Sequence, residues 1–232
     1  MMRLSDSEIK KRLRALPQNV PPTNLELVAQ GLIPRELEDL LRSGWIIMNP
    51  LPDDKESFGP CSVDLRFGSW IETRLNAFEI TEIEGKRVIR LSTYDEKGAK
   101  KIALASDRLV EHTQEGSHIK FHLKSNEIFE LPPNLLITAP TLECLYVPTD
   151  LVAWLEGRSR FARRGVTVHF SSNRFDPGWC GVMVMEIHNL SAAAVNLYPG
   201  LPIAAATFEQ VGPLPVETPY FAKKTARFRG QR

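Results

Sequence analysis

Between residues 157 and 189 the chain collects the residue types that acid–base chemistry on an anionic substrate requires. Arg158, Arg160, Arg163 and Arg164 surround Ser159, a turn signal follows at Asp176-Pro177-Gly178, and Glu186 stands alone in the apolar run 182–188. Guanidinium groups grip phosphate oxygens with paired N–H donors, and a neighbouring hydroxyl can add a contact. Strand alternation puts Glu186 on the face of Val182, Val184 and His188, with Met183, Met185 and Ile187 opposite. A carboxylate that sheds hydration in such a strand can act as general acid and base near neutral pH. Each feature also has a plainer explanation. A Glu paired with an Arg for structure is as good an account of Glu186, and a solvated charge run explains most arginine clusters. His169 and His188 read as structural histidines, Trp179 as a core aromatic, and Asp176-Pro177-Gly178 first as a turn.

Several chemistries are missing. No HxE is followed by PCxxC, so the zinc deaminase signature is absent, and there is no Walker loop, GxGxxG or GxSxG elbow. Any Mg²⁺ would come bound to the phosphates of a substrate. Lys and Arg number 29 against 28 Asp and Glu, a formal charge of +1, which gives no general attraction to nucleic acid or to anionic membrane; an anion site must be local. Three widely spaced cysteines, Cys61, Cys144 and Cys180, form no CxxC pair and fit a reducing compartment. The first residues lack an apolar signal core and no apolar run is long enough to span a bilayer, so a cytoplasmic protein is expected.

The elements that must position these groups are mostly strands. Ser5 with Glu8 has capping-box spacing and predicts a helix over 6–16; Thr23 with Glu26 predicts another ending at Gly31; Pro34 opens a third, closed by Gly44. From Trp45 onward, short apolar runs separated by Pro, Gly, Asn and Asp predict a mainly β domain. The expected strands are 45–48, 62–67, 71–73, 87–91, 102–105, 118–123, 128–131, 135–139, 145–147, 151–155, 166–170, 182–188, 194–197 and 203–209. The run 182–188, apolar on both faces, reads as a central strand. Residues 74–117 read as a hairpin insertion with exposed loops. After Gln210 the chain turns Pro-rich, then basic, an end that is poorly ordered by default. The expected organisation is a helical segment 1–44, a catalytic β domain 45–215 and a tail 216–232.

In the order in which they occur, these pieces resemble the dCTP deaminase family, which shares its fold with the trimeric dUTPases. The resemblance rests on Gly157-Arg158-Ser159, Ala162-Arg163, Gly165, Val168-His169, Arg174, Asp176-Pro177-Gly178-Trp179, Gly181, Met185-Glu186, Asn189, Tyr198-Pro199-Gly200 and Phe208-Glu209. Ser62-Val63-Asp64-Leu65-Arg66-Phe67-Gly68, Thr141-Leu142-Glu143, Pro219-Tyr220 and Arg227-Phe228-Arg229-Gly230-Gln231 extend it along the chain. It implies a distorted, jelly-roll-like β-barrel with N-terminal helices, assembled as a homotrimer with sites between subunits. The implied activity is zinc-independent hydrolysis of dCTP to dUTP and ammonia, with dTTP as an inhibitor. Glu186 would shuttle protons, while Ser159 and Arg163 position the water and the carboxylate. The implied binding set is Arg158, Ser159, Arg160, Phe161, Ala162, Arg163, Arg174, Asp176, Val184, Met185, Glu186, Tyr220, Arg227 and Gln231. Within it, backbone groups of Val184 and Met185 read the base and Asp176 holds the deoxyribose hydroxyl. Arg158, Ser159, Tyr220, Arg227 and Gln231 hold the triphosphate with its Mg²⁺, and the tail folds over the nucleotide.

Departures from the family pattern are specific. Arg160 stands where the family usually has a second serine, Ser171-Ser172-Asn173 replaces its TA, and Arg227 replaces a Lys. The helical stretch 17–43 and the region 74–117 read as additions. Two alternatives stay open: a dUTP diphosphatase or bifunctional enzyme, and a non-catalytic nucleotide-sensing or nucleic-acid-associated protein. Ala205, where bifunctional relatives often carry Gln, favours the deaminase.

Overall fold

Ser5 caps the first helix as its spacing predicts. Its hydroxyl accepts from the Glu8 N–H at 3.3 Å and its own N–H donates to Glu8 Oε2 at 2.8 Å, a pairing that contributes about 1 kcal/mol. The structure, a computed structural model, describes residues 2–18, 33–52, 55–73, 78–83, 86–91 and 119–226. Helix α1 (Asp6–Arg12) stops short of the expected residue 16, because β1 (Leu13–Ala15) peels away to pair in parallel with β2 (Ile46–Asn49). Strand pairing overrides the helical spacing of Leu13 and Leu16. Helix α2 (Arg35–Arg42) follows Pro34 and ends before Gly44, whose φ of +85° suits glycine. The helix expected over Thr23 to Gly31 lies outside the described residues.

The remaining strands are β3 (Phe58–Gly59), β4 (Ser62–Arg66), β5 (Trp70–Thr73), β6 (Phe78–Ile83), β7 (Lys86–Leu91), β8 (Ile119–His122) and β9 (Glu127–Leu131). They continue with β10 (Leu136–Tyr146), β11 (Leu151–Gly157), β12 (Val166–Thr167), β13 (Arg174–Phe175), β14 (Cys180–Asn189), β15 (Val195–Leu197) and β16 (Pro202–Gln210). A four-residue helix, α3 (Ser159–Ala162), links β11 to β12. The mainly β reading holds. The strands form three open sheets, with paths β1-β2-β10-β14-β12, β13-β11-β16-β4-β3 and β15-β9-β7-β6. β5 pairs with β10 at Thr138 and, on its other side, with β8, which completes the first sheet. β6 and β7 make the hairpin expected between residues 74 and 117, whereas the strand read at 102–105 lies outside the described residues.

The stretches read as separate strands at 135–139 and 145–147 are one strand, β10, broken by a register shift between Pro140 and Cys144. The Thr141 hydroxyl repairs the ladder there, accepting the Met183 N–H at 3.1 Å and donating to the Glu143 carbonyl at 2.7 Å. Glu143 itself is 2% exposed and takes two hydrogen bonds from Arg66, from its N–H at 2.8 Å and its Nε at 2.6 Å. Two motifs distant in sequence thus hold two sheets together.

The larger of two apolar clusters lies between the sheets. Phe67, Phe121, Phe129 and Phe208 are fully buried in it, each stabilising the fold by about 1.5–3 kcal/mol. Met183, Met185 and Ile187 of β14 face this core at 0% exposure, while Val182, Val184, Glu186 and His188 are half-buried on the opposite face. The alternation read from the sequence is therefore correct. β14 is indeed interior to its sheet, but its second face is only half-covered within one chain.

Candidate active site

Glu186 occupies the middle of β14, directly across from Thr138 of β10. Its carboxylate is fixed from outside the strand: Oε2 accepts the backbone N–H of Phe170 at 3.0 Å. The Glu186 N–H reaches the Val168 carbonyl at 3.0 Å, on the side of β14 away from β10. Antiparallel alternation turns the N–H and C=O of Val184 the same way and those of Met185 toward Ala139 of β10. Val184 thus presents backbone donor and acceptor beside the carboxylate, while the Met185 side chain is packed in the core.

A cavity of about 320 Å³ opens in front of this face. Thr138, Val184 and Glu186 form its floor; Arg174, Phe175 and Asp176 form one wall; Ser172, Trp179 and Tyr220 complete it. β13 and the following turn set the wall. Arg174 Nε donates to Asp176 Oδ1 at 3.0 Å, with Arg174 61% and Asp176 31% exposed. Gly178, at φ +84°, closes the turn where a Cβ would meet Pro219 Cβ at 2.6 Å, a conformation and a space that only glycine tolerates. Trp179 then lies between Phe175, edge-on at 5.0 Å, and Tyr220 at 5.2 Å. A carboxylate, backbone hydrogen-bonding groups and a flat aromatic wall suit a planar heterocycle with exchangeable protons.

The arginine cluster sits elsewhere. Arg158, at the N-terminus of α3, pairs its guanidinium with Asp64 of β4. Ser159, Arg160, Ala162, Arg163 and Arg164 are exposed and Phe161 is buried beneath them. Arg160 lies 4.9 Å from the Phe161 ring and, with Arg164, lines a different cavity of about 670 Å³ that reaches Tyr198. Of the residues expected from the sequence, Arg174, Asp176, Val184, Glu186 and Tyr220 share the Glu186 cavity. Arg158, Ser159, Arg160, Phe161, Ala162 and Arg163 do not line it. Arg227 and Gln231 lie outside the described residues.

Thr138, Ser172, Phe175 and Trp179 line the cavity without having been singled out for it. Thr138 is brought there only by the β10–β14 register. Trp179, a core aromatic at 5% exposure, is also a wall of the site. Among the described residues no group of three His, Cys, Asp or Glu side chains is placed to hold a metal ion.

The dCTP deaminase-like family model matches residues 32–211. The chain belongs to the dCTP deaminase-like family. The matched span takes in α2, so the helix from Arg35 to Arg42, read as part of an addition, lies within the family match. A dCTP deaminase of Shewanella amazonensis is 34% identical over 197 residues, spanning 85% of this chain and 91% of that protein. The crystal structure of the 2'-deoxycytidine 5'-triphosphate deaminase of Agrobacterium tumefaciens superposes with a TM-score of 0.45 at 15% identity. That superposition covers 70% of this chain and 43% of that one. The native EIAV dUTPase superposes at a TM-score of 0.34 and 21% identity, covering 42% of this chain and 79% of that one.

Proposed function

We propose that this protein hydrolyses dCTP to dUTP and ammonia, with Glu186 as the proton shuttle. The observation that carries the reading is the Glu186 carboxylate, held by the Phe170 N–H at 3.0 Å in a cavity it shares with Val184, Asp176 and Tyr220. Glu186 takes a proton from water as the oxygen attacks C4 of the cytosine ring and delivers that proton to the ring nitrogen N3. The tetrahedral intermediate then collapses with a second proton transfer to the amino group, which leaves as ammonia, and the base is left as uracil. Val184 offers its backbone to the edge of the base. Asp176 accepts from the deoxyribose 3'-hydroxyl, its orientation set by Arg174.

Ser159 and Arg163 belong to the same reaction but are supplied by a neighbouring subunit of a homotrimer. Support comes from their exposed position away from the Glu186 cavity and from the half-covered outer face of β14. An arginine from one subunit would steady the carboxylate of the next. Arg158, Ser159 and Tyr220, with Arg160, Phe161 and Ala162 nearby and with Arg227 and Gln231 of the tail, hold the triphosphate. Mg²⁺ arrives on that triphosphate as part of the substrate. dTTP, which lacks the amino group, would occupy the site as an inhibitor.

Cys61, Cys144 and Cys180 are free thiols, which supports work in a reducing compartment such as the cytoplasm; among the described residues no helix is long and apolar enough to cross a membrane. The deciding experiment is incubation with dCTP and with dUTP, each with Mg²⁺, following ammonia and pyrophosphate together. Ammonia without pyrophosphate from dCTP, and no product from dUTP, is the expected result. Pyrophosphate from dUTP makes the protein a diphosphatase or a bifunctional enzyme, and no product from either refutes the reading.

A further inference from the structure

The Pro-rich stretch after Gln210 is packed against the body of the protein, and the reason lies at the other end of the chain. Phe221 is 3% exposed and packs in an apolar cluster with Leu37 and Leu41 of α2, Ile47, Tyr146 and Cys180. The guanidinium of Arg42 lies 5.8 Å from the Phe221 ring. A second link ties the same helix to the same segment. Thr149, 0% exposed, donates its N–H to the Leu41 carbonyl at 3.1 Å, and its own carbonyl accepts the Val216 N–H at 2.9 Å.

Beside Phe221 the chain is locked to the cavity wall. The Tyr220 N–H donates to the Pro177 carbonyl at 2.7 Å, and the Tyr220 ring lies 5.2 Å from Trp179. Tyr220 is half-buried and lines the Glu186 cavity; Phe221 points into the α2 cluster. Adjacent residues therefore face a nucleotide-sized cavity on one side and an N-terminal helix on the other.

We propose that Phe221, seated on α2, is a positioning residue that sets Tyr220 in the Glu186 cavity. This assigns α2 a task at the site although no α2 side chain lines that cavity. It rests on the cavity being a nucleotide site. A Tyr220 held in place before substrate arrives costs less conformational entropy on binding. Loss of the anchor should then weaken substrate binding while the proton transfers at Glu186 proceed.

The test compares wild type, Phe221→Ala and Phe221→Leu by trypsin cleavage after Lys223 or Lys224, both exposed, and by steady-state kinetics with dCTP. In Phe221→Ala, cleavage should accelerate roughly tenfold through local release of the segment. KM should rise about tenfold, with kcat at saturation within about twofold of wild type. Phe221→Leu, which keeps most of the buried volume, should recover most of both changes. Cleavage of Phe221→Ala at the wild-type rate overturns the anchor. Faster cleavage with unchanged KM, or an equal fall in kcat from a loss of folded protein, overturns its role in positioning Tyr220. If wild type releases no ammonia, the deaminase reading fails, and the cleavage rates alone still decide whether Phe221 anchors the segment.

Discussion

Among the described residues, the Glu186 carboxylate is held by the backbone N–H of Phe170, 3.0 Å from Oε2. The distance from strand to cavity is thus set by the full length of a glutamate. Glu186→Asp withdraws the carboxylate by one methylene from both that N–H and the substrate. A misplacement of this size should lower kcat about a hundredfold with little change in KM. Steady-state rates of ammonia release from dCTP check it, and near-normal kcat in the aspartate variant would contradict it.

Arg163 does not line the cavity that holds Glu186. If the site is completed across a subunit boundary, two inactive variants should complement each other. Chains carrying Glu186→Gln and chains carrying Arg163→Ala, mixed in equal amounts during assembly, should recover activity in about a quarter of their sites. A mixture no more active than either variant alone would place both residues in the same subunit's site, or Arg163 in none.

The described tail reaches Ala226, with Lys223 and Lys224 exposed just beyond Phe221. Truncation after Phe221 keeps Tyr220 in the cavity wall while removing the basic residues that follow. KM for dCTP should rise at least about tenfold through lost charge-assisted contacts to the triphosphate. An unchanged KM would contradict the tail's part in phosphate binding.

Burial pushes the Glu143 carboxyl above its usual 4.5, an effect that the hydrogen bonds and charge of Arg66 oppose only in part. The folded chain therefore holds the Glu143 proton more tightly than the unfolded chain does. Stability from this group is fully present below about 4.5 and is lost as pH rises through the higher folded value. Denaturant unfolding of wild type and Glu143→Gln across this range should show wild type losing ground to the variant as pH rises. A gap that instead widens in favour of wild type would reverse the assigned sign.

Much of this was legible in the sequence because it is local. Ser5 with Glu8, Pro34 with Gly44, and the alternation around Glu186 each involve neighbours in the chain, and each appears as read. What escaped is set by pairing over long separations. Leu13 and Leu16 had helical spacing, yet β1 follows Ile46–Met48 of β2. Residues 141–143 looked like a break between strands, because a bulge bridged by the Thr141 hydroxyl has no periodic signature. The arginines and Ser159 lie close to Glu186 in sequence, but within one chain Arg160 and Arg164 line a different cavity from Glu186. Thr138 carried no signal at all, since only the register with Glu186 brings it to the site.

In the proposed mechanism the Glu186 carboxylate moves the protons of deamination. Glu186→Gln keeps the side-chain length and an oxygen able to accept from the Phe170 N–H, but it has no basic carboxylate. Ammonia release from dCTP by this variant, measured beside dCTP binding by calorimetry, separates proton transfer from substrate binding. Ammonia should not rise above the uncatalysed background, while Kd stays within about threefold of wild type. Ammonia released by the variant at near the wild-type rate would contradict it.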